Sequence, residues 1–138
     1  MIEISLKECM EQVKNYIHLI ADYPIKESQV GLVLDDVLNL SGKMLRPKLL
    51  LLCAFLNSNW KNNREKICKL AAMVELTHLA SLIHDDIVDD SPYRRGKTSI
   101  QGKYGKDAAV FAGDFLISRI FYYGTTENLN EAVSVLSK

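Results

Sequence analysis

The run His84-Asp85-Asp86-Ile87-Val88-Asp89-Asp90, followed by Arg94-Arg95-Gly96, holds the densest set of chemically capable side chains in this 138-residue chain. Four carboxylates fall within six positions at the end of a long apolar stretch, with two guanidiniums just beyond. On a helix Asp85 and Asp89 share a face, and so do Asp86 and Asp90. Like charges at that spacing destabilise a bare helix, and the C-terminal end of the helix dipole disfavours anions. A bound cation relieves both effects. Carboxylate oxygens with no imidazole or thiolate required by the spacing suit Mg²⁺, which takes one or two carboxylates together with substrate phosphates and water. Taken alone, a DDxxD pattern is still explained more simply as a solvated acidic helix end.

Two further groups of residues change that balance. His78 precedes Asp85 by two helical turns, so His78, Ser81, Asp85 and Asp89 form one polar stripe on an otherwise apolar helix. By itself His78 reads as a hydrogen-bonded core histidine. His84 lies about 100° from Asp85 around the helix and reads as packing or as orienting a carboxylate. Upstream, Gly42-Lys43-Met44-Leu45-Arg46-Pro47 puts two cations at the start of a helix, where unpaired amides and the dipole favour an anion. Arg46 can grip phosphate oxygens in bidentate fashion, with Lys43 as a point charge. Arg94-Arg95-Gly96-Lys97 adds a basic loop able to hold the same polyphosphate. Each group has an ordinary surface explanation; their order along one chain is far more specific than any of them.

The elements that must position these residues are helical. Ile4, Leu6, Met10, Val13, Ile17 and Ile20 recur at helical steps up to Asp22-Tyr23-Pro24. A second helix is expected over Gln29 to Leu40, and a third over Pro47 to Leu56, opened by Pro47 as a first-turn residue after the Ser41-Gly42 break. A long helix is expected from Arg64 into the acidic cluster, ended by Ser91-Pro92. Tyr93 to Gly105 reads as a loop with one turn of helix. Lys106 to Tyr123 and Glu127 to Lys138 complete an all-α helical bundle, one domain over 1–138, without strand-period alternation or repeats. The chain stops inside its last helical pattern, as a truncated or a frayed end would.

Composition narrows the class. Hydrophobic residues make up 48% of the chain, enough for one real core, and 17 basic residues balance 17 acidic ones. That neutrality gives no sign of nucleic acid as a partner, so phosphate recognition has to be local. Cys9, Cys53 and Cys68 lack CxxC spacing and read as buried thiols in a reducing compartment. Glu3, Lys7 and Glu8 exclude a signal-peptide apolar region, and the longest uninterrupted apolar run, Leu49 to Leu56, is too short for a membrane span. The expectation is a cytoplasmic protein without stable membrane insertion.

The order GKxxRP, then HxxxxxHDDxxD, then RRG resembles the trans-isoprenyl diphosphate synthases (polyprenyl synthetases), from about Gly42 to Gly124, including Asp107 to Phe115. The resemblance implies the N-terminal half of an isoprenoid-synthase-type fold and a Mg²⁺-dependent prenyltransferase that condenses isopentenyl diphosphate with an allylic prenyl diphosphate. It implies that Asp85 and Asp89 hold Mg²⁺ with Asp86 close by, that Arg94 contacts the allylic diphosphate, and that Lys43, Arg46, His78 and Arg95 hold isopentenyl diphosphate. It also implies that Ala80, flanked by Thr77 and Ser81, floors the product tunnel; these small side chains predict a product longer than farnesyl, unless Met73, Leu76 or residues on other helices close the tunnel instead. Family members are about twice as long, and their second aspartate-rich motif and downstream Lys-Thr segment have no counterpart between Gly124 and Lys138. The chain is therefore expected to be inactive alone and to form a homo-oligomer or pair with a C-terminal half or second subunit. Two rivals stand beside this reading. One is a non-catalytic interaction subunit of a heteromeric synthase. The other is a metal phosphohydrolase using His84-Asp85, for which His18 with Asp107 or Asp114 makes a poor ligand set.

Overall fold

The computed structural model describes residues 2–23, 27–40 and 42–138. Among them are seven helices and one short hairpin: α1 Ile2–Ile20, α2 Gln29–Asn39, α3 Leu45–Phe55, α4 Arg64–Val88, β1 Tyr93–Arg94, β2 Lys97–Thr98, α5 Ile100–Tyr104, α6 Lys106–Thr126 and α7 Asn130–Leu136. α4 runs through the middle and packs on α6, α1 and α3. The all-α expectation holds, with the hairpin as its one departure among the described residues.

The predicted stripe of α1 is buried at Met10, Val13, Ile17 and Ile20, whereas Ile4 is exposed. The helix ends at Ile20, whose carbonyl accepts from Arg119 Nε of α6 at 2.8 Å; Pro24, the expected stop, lies outside the described residues. α2 is capped by Ser28, whose Oγ accepts from the Gly31 amide at 3.1 Å. Ser41, half of the expected break after it, is also outside the described residues.

α3 starts two residues before the expected Pro47. At the third helical position Pro47 lacks an amide that would have had no intrahelical acceptor, so the proline fits there at no hydrogen-bonding loss. Among the three cysteines Cys9 and Cys68 are buried and Cys53 is exposed, which corrects the expectation of three buried thiols. Burial, with Cys9 beside it, pushes the Cys68 thiol up to about 12.

By length and composition α4 is apolar enough to cross a membrane, which the uninterrupted-run criterion missed because polar residues punctuate it. Its apolar side chains are spent on the bundle instead: Cys68, Ala71, Ala72, Met73, Leu76, Leu79, Ala80 and Ile83 are all buried. α6 approaches α4 closely through Ala109, Ala112 and Gly113. A Cβ on Gly113 would meet the His84 ring, so the imidazole sits where it does because position 113 has no side chain. α6 runs three residues beyond the expected Tyr123. Asn128 (φ 57°) then reverses the chain, and the Leu129 amide returns to the Gly124 carbonyl at 2.7 Å. That left-handed C-terminal motif is why α7 begins at Asn130 and not at Glu127.

Candidate active site

α4 delivers the carboxylates. Its last turn ends in the same kind of motif: Asp90 is left-handed (φ 50°), its amide bonds the Ile87 carbonyl at 3.2 Å, and the Ser91 amide bonds the Asp86 carbonyl at 2.9 Å. Asp85 and Asp89 stay one turn apart, joined by the Asp89 amide to the Asp85 carbonyl at 2.8 Å, and both are exposed. The expected pairing of Asp86 with Asp90 on one face does not occur, because the helix stops at Val88 and Asp90 leaves the helical path. Asp90 meets Lys106 at 2.7 Å. His84 points to another helix, with Nε2 3.3 Å from Asp114 Oδ1 on α6; it orients no carboxylate of the acidic cluster.

Asp86 is placed differently from its neighbours. It is buried, and Arg94 Nε donates to both of its oxygens at 3.0 and 2.9 Å while Nη2 lies 2.8 Å from Oδ1. Its carbonyl also accepts from Nε2 of the buried Gln101 at 2.7 Å. Gln101 drew no attention in the sequence because it belongs to no charged or periodic pattern.

The expected loop after α4 contains a hairpin. Tyr93 pairs with Thr98 and Arg94 with Lys97, across a two-residue turn in which Arg95 (φ 50°) and Gly96 (φ 77°) are both left-handed. Left-handed values at both central positions match the twist of an antiparallel pair. Strands of two residues are too short for alternation to reveal. The two arginines make different contacts, although both line a cavity of about 210 Å³ with Asp86. Arg94 reaches back to Asp86, whereas Arg95 lies against the start of α3, its Nη1 3.4 Å from where a Cβ on Gly42 would be.

There Arg95 joins Lys43, Arg46 and His78 in lining one cavity of about 300 Å³, closed by Leu40, Met44, Leu79 and Leu82. α3, α4 and the hairpin each contribute. Met44, the residue before α3, is left-handed (φ 48°) and offers no side-chain cap, so the first amides of α3 gain no partner from it. Burial, then the charges of Arg46, Arg94 and Arg95, lower the His78 pKa, so the imidazole is neutral at pH 7 and the cations are Lys43, Arg46 and Arg95. Glu75, one turn before His78, is buried in the same cavity, and burial raises its carboxyl pKa against the pull of Arg46. The sequence reading passed over Glu75, although an acidic residue one turn before His78 on an apolar helix is a usable signal.

Thr77, Ala80 and Ser81 line a second groove, of about 290 Å³, with Ile117, Ile120 and Phe121 of α6 and Leu136 of α7. The Thr77 hydroxyl is held by the Met73 carbonyl at 2.8 Å. Met73 and Leu76, two of the alternative floors, are fully buried in the core and do not line it, whereas Phe121 and Leu136 from other helices do.

The sequence profile of the family described as polyprenyl synthetase matches residues 27–138. The chain belongs to the polyprenyl synthetase family. It is 40% identical over 97 residues to an all-trans-nonaprenyl-diphosphate synthase (geranyl-diphosphate specific) of Rhodobacter capsulatus, a match covering 68% of this chain and 29% of that one. It is 36% identical over 118 residues to heptaprenyl diphosphate synthase component 2 of Bacillus subtilis (strain 168), covering 86% of this chain and 32% of the relative. Its fold matches a decaprenyl diphosphate synthase from Rhodobacter capsulatus with a TM-score of 0.81 at 29% identity, over 99% of this chain and 41% of that one. A polyprenyl synthase from Caulobacter crescentus CB15, complexed with calcium and isoprenyl diphosphate, matches with a TM-score of 0.74 at 30% identity, over 99% and 41%. The matched part of the polyprenyl synthetase chain thus spans about a third of these two curated relatives and two-fifths of these two solved chains.

Among the described residues no group of three or more His, Cys, Asp or Glu side chains is arranged to hold a metal ion. Of the motif's aspartates, Asp85 and Asp89 are exposed one helical turn apart. That donor set fits Mg²⁺ when phosphate oxygens and water complete the shell, and is too small for an all-protein cage.

Proposed function

We propose that this chain supplies the first aspartate-rich wall of a trans-prenyl diphosphate synthase that elongates an allylic diphosphate with isopentenyl diphosphate. The observation that carries the reading is the convergence of Lys43, Arg46, His78 and Arg95 on one cavity, beside the hairpin that joins Arg94 to the aspartate motif. A cavity with three cations and a histidine, whose one carboxyl, Glu75, is pushed toward its neutral form by burial, suits a diphosphate. A separate set of carboxylates suits a metal-bridged diphosphate.

In this reading Asp85 and Asp89 hold Mg²⁺, which supplies Lewis-acid stabilisation of the leaving pyrophosphate when bound. Arg94 binds the allylic diphosphate and stabilises charge as its C–O bond breaks and the electron pair passes to the leaving oxygen. Lys43, Arg46, His78 and Arg95 hold isopentenyl diphosphate so that its double bond attacks the allylic carbon, after which loss of a proton restores the alkene. The apolar walls of α4 and α6 exclude water from the cation. The groove along Thr77, Ala80 and Ser81 takes the growing chain, and its small side chains favour products longer than farnesyl. In the assembled enzyme Ala80→Phe is expected to shorten the product, read by chromatography of the dephosphorylated prenols; an unchanged length would sink this assignment.

The chain is inactive alone and associates. Leu45, Leu49, Leu52 and Leu56 form an exposed stripe along and just beyond α3 at steps of four, three and four, a pattern that suits helix packing. Leu49→Glu is expected to lower the association state in sedimentation with the helical circular-dichroism spectrum retained. The function itself is tested by incorporation of labelled isopentenyl diphosphate into extractable product when the chain is mixed with a C-terminal half of a family member. Incorporation that persists after loss of Asp85 and Asp89 would refute the catalytic role.

A further inference from the structure

We propose that Asp86 is a positioning residue for Arg94, fixing the guanidinium that meets the diphosphate; the proposal rests on the diphosphate reading above. The three aspartates of the motif differ in how their oxygens are used. Asp85 and Asp89 are exposed, whereas Asp86 is 7% exposed and both of its oxygens accept from Arg94. Two guanidinium nitrogens of Arg94, Nε and Nη2, make the three close contacts and between them engage both carboxylate oxygens. The carbonyl of Asp86 is fixed as well, by the Ser91 amide and by Gln101. This residue is tied at both its backbone and its side chain.

Arg94 gains from that tie. It sits on a strand of two residues beside a tight turn, where its long side chain would otherwise sample many rotamers. Asp86 engages the Nε/Nη2 edge, and Nη2 also reaches the Leu82 carbonyl at 3.4 Å. The guanidinium is thereby held in one orientation, and Nη1 makes no hydrogen bond among the described residues. Ordering a cation before the anion arrives removes part of the entropic penalty of binding. The same ion pair neutralises one of the clustered carboxylates, which lowers the repulsion that an incoming diphosphate would meet.

The test uses the 138-residue chain with two independent readouts. First, the Arg94 Nε–H resonance in NMR should be protected from exchange in the unsubstituted chain and lose that protection in Asp86→Asn; equal exchange in both would overturn the positioning. Second, titration with inorganic pyrophosphate at saturating Mg²⁺ should show affinity about tenfold lower in Asp86→Asn and in Arg94→Gln, with the double variant no weaker than Arg94→Gln. The Mg²⁺ concentration for half-maximal binding should be unchanged in Asp86→Asn and raised in Asp85→Asn. Additive losses, or a raised Mg²⁺ requirement in Asp86→Asn, would overturn the proposal. Should Asp86→Asn not fold, Arg94→Lys, which keeps the charge and loses the fork, is expected to lose affinity as Arg94→Gln does, and full affinity there would overturn it. A protected Arg94 resonance in a chain that binds no pyrophosphate would instead overturn the diphosphate reading.

Discussion

Replacing Asp85 and Asp89 together by Asn is expected to abolish Mg²⁺-dependent binding of pyrophosphate to this chain while making the chain more stable. The affinity loss should be about 100-fold or more, since charge-assisted contacts contribute about 1.5–3 kcal/mol each and two carboxylates are removed. A chelator should reproduce it in the unsubstituted chain. The gain in stability comes from the same residues. They are exposed like charges one turn apart, at the helix end where the dipole disfavours anions. Neutralising them should raise the unfolding free energy by about 0.3–1 kcal/mol. Isothermal titration and urea denaturation of one protein preparation read both signs. A merely solvated acidic helix end predicts the stability gain without the affinity loss, so the pair of measurements separates a functional cluster from an incidental one.

Gly102→Ala is expected to destabilise the chain by about 1–3 kcal/mol, although helix propensity alone predicts a gain of about 1 kcal/mol. Gly102 lies within α5, where alanine is normally the better residue. Its Cβ, however, would lie 2.3 Å from the Pro92 carbonyl oxygen and 3.0 Å from Thr98 Cγ2. The obstacle is backbone, and that backbone is fixed: the Pro92 carbonyl accepts from the Ser99 amide at 2.9 Å, and Ser99 Oγ is tied to the Ser91 carbonyl at 2.7 Å and the Gly102 amide at 3.1 Å. Relief requires α5 to move away from the base of the hairpin. Because that hairpin carries Arg94 and Arg95, pyrophosphate affinity should fall with stability. Chemical denaturation and titration of Gly102→Ala check both, and an unchanged or raised midpoint would show that the hairpin base yields without penalty.

The opposite signs for Gly102 show where the sequence stops being sufficient. Helix positions were legible because they depend on residues three and four apart: α1, α2, α4 and α6 lie where apolar periodicity put them, within a few residues at their ends. The ends were harder, since Asp90 and Asn128 close α4 and α6 in left-handed conformations usually taken by glycine. The hairpin was illegible, as two-residue strands carry no period.

The same division runs through the candidate site. From residue types and order alone follow an all-α fold, the polyprenyl synthetase family, and the set Lys43, Arg46, His78, Asp85, Asp86, Asp89, Arg94 and Arg95. Tertiary structure decided how those residues are shared out. It gave Asp86 to Arg94, sent Arg95 to Lys43 and Arg46, turned His84 toward Asp114, and placed Glu75 among the cations. The physical reason is distance along the chain. Which carboxylate an arginine meets depends on a tight turn, a helix end and a facing helix acting together, and no local pattern encodes that combination.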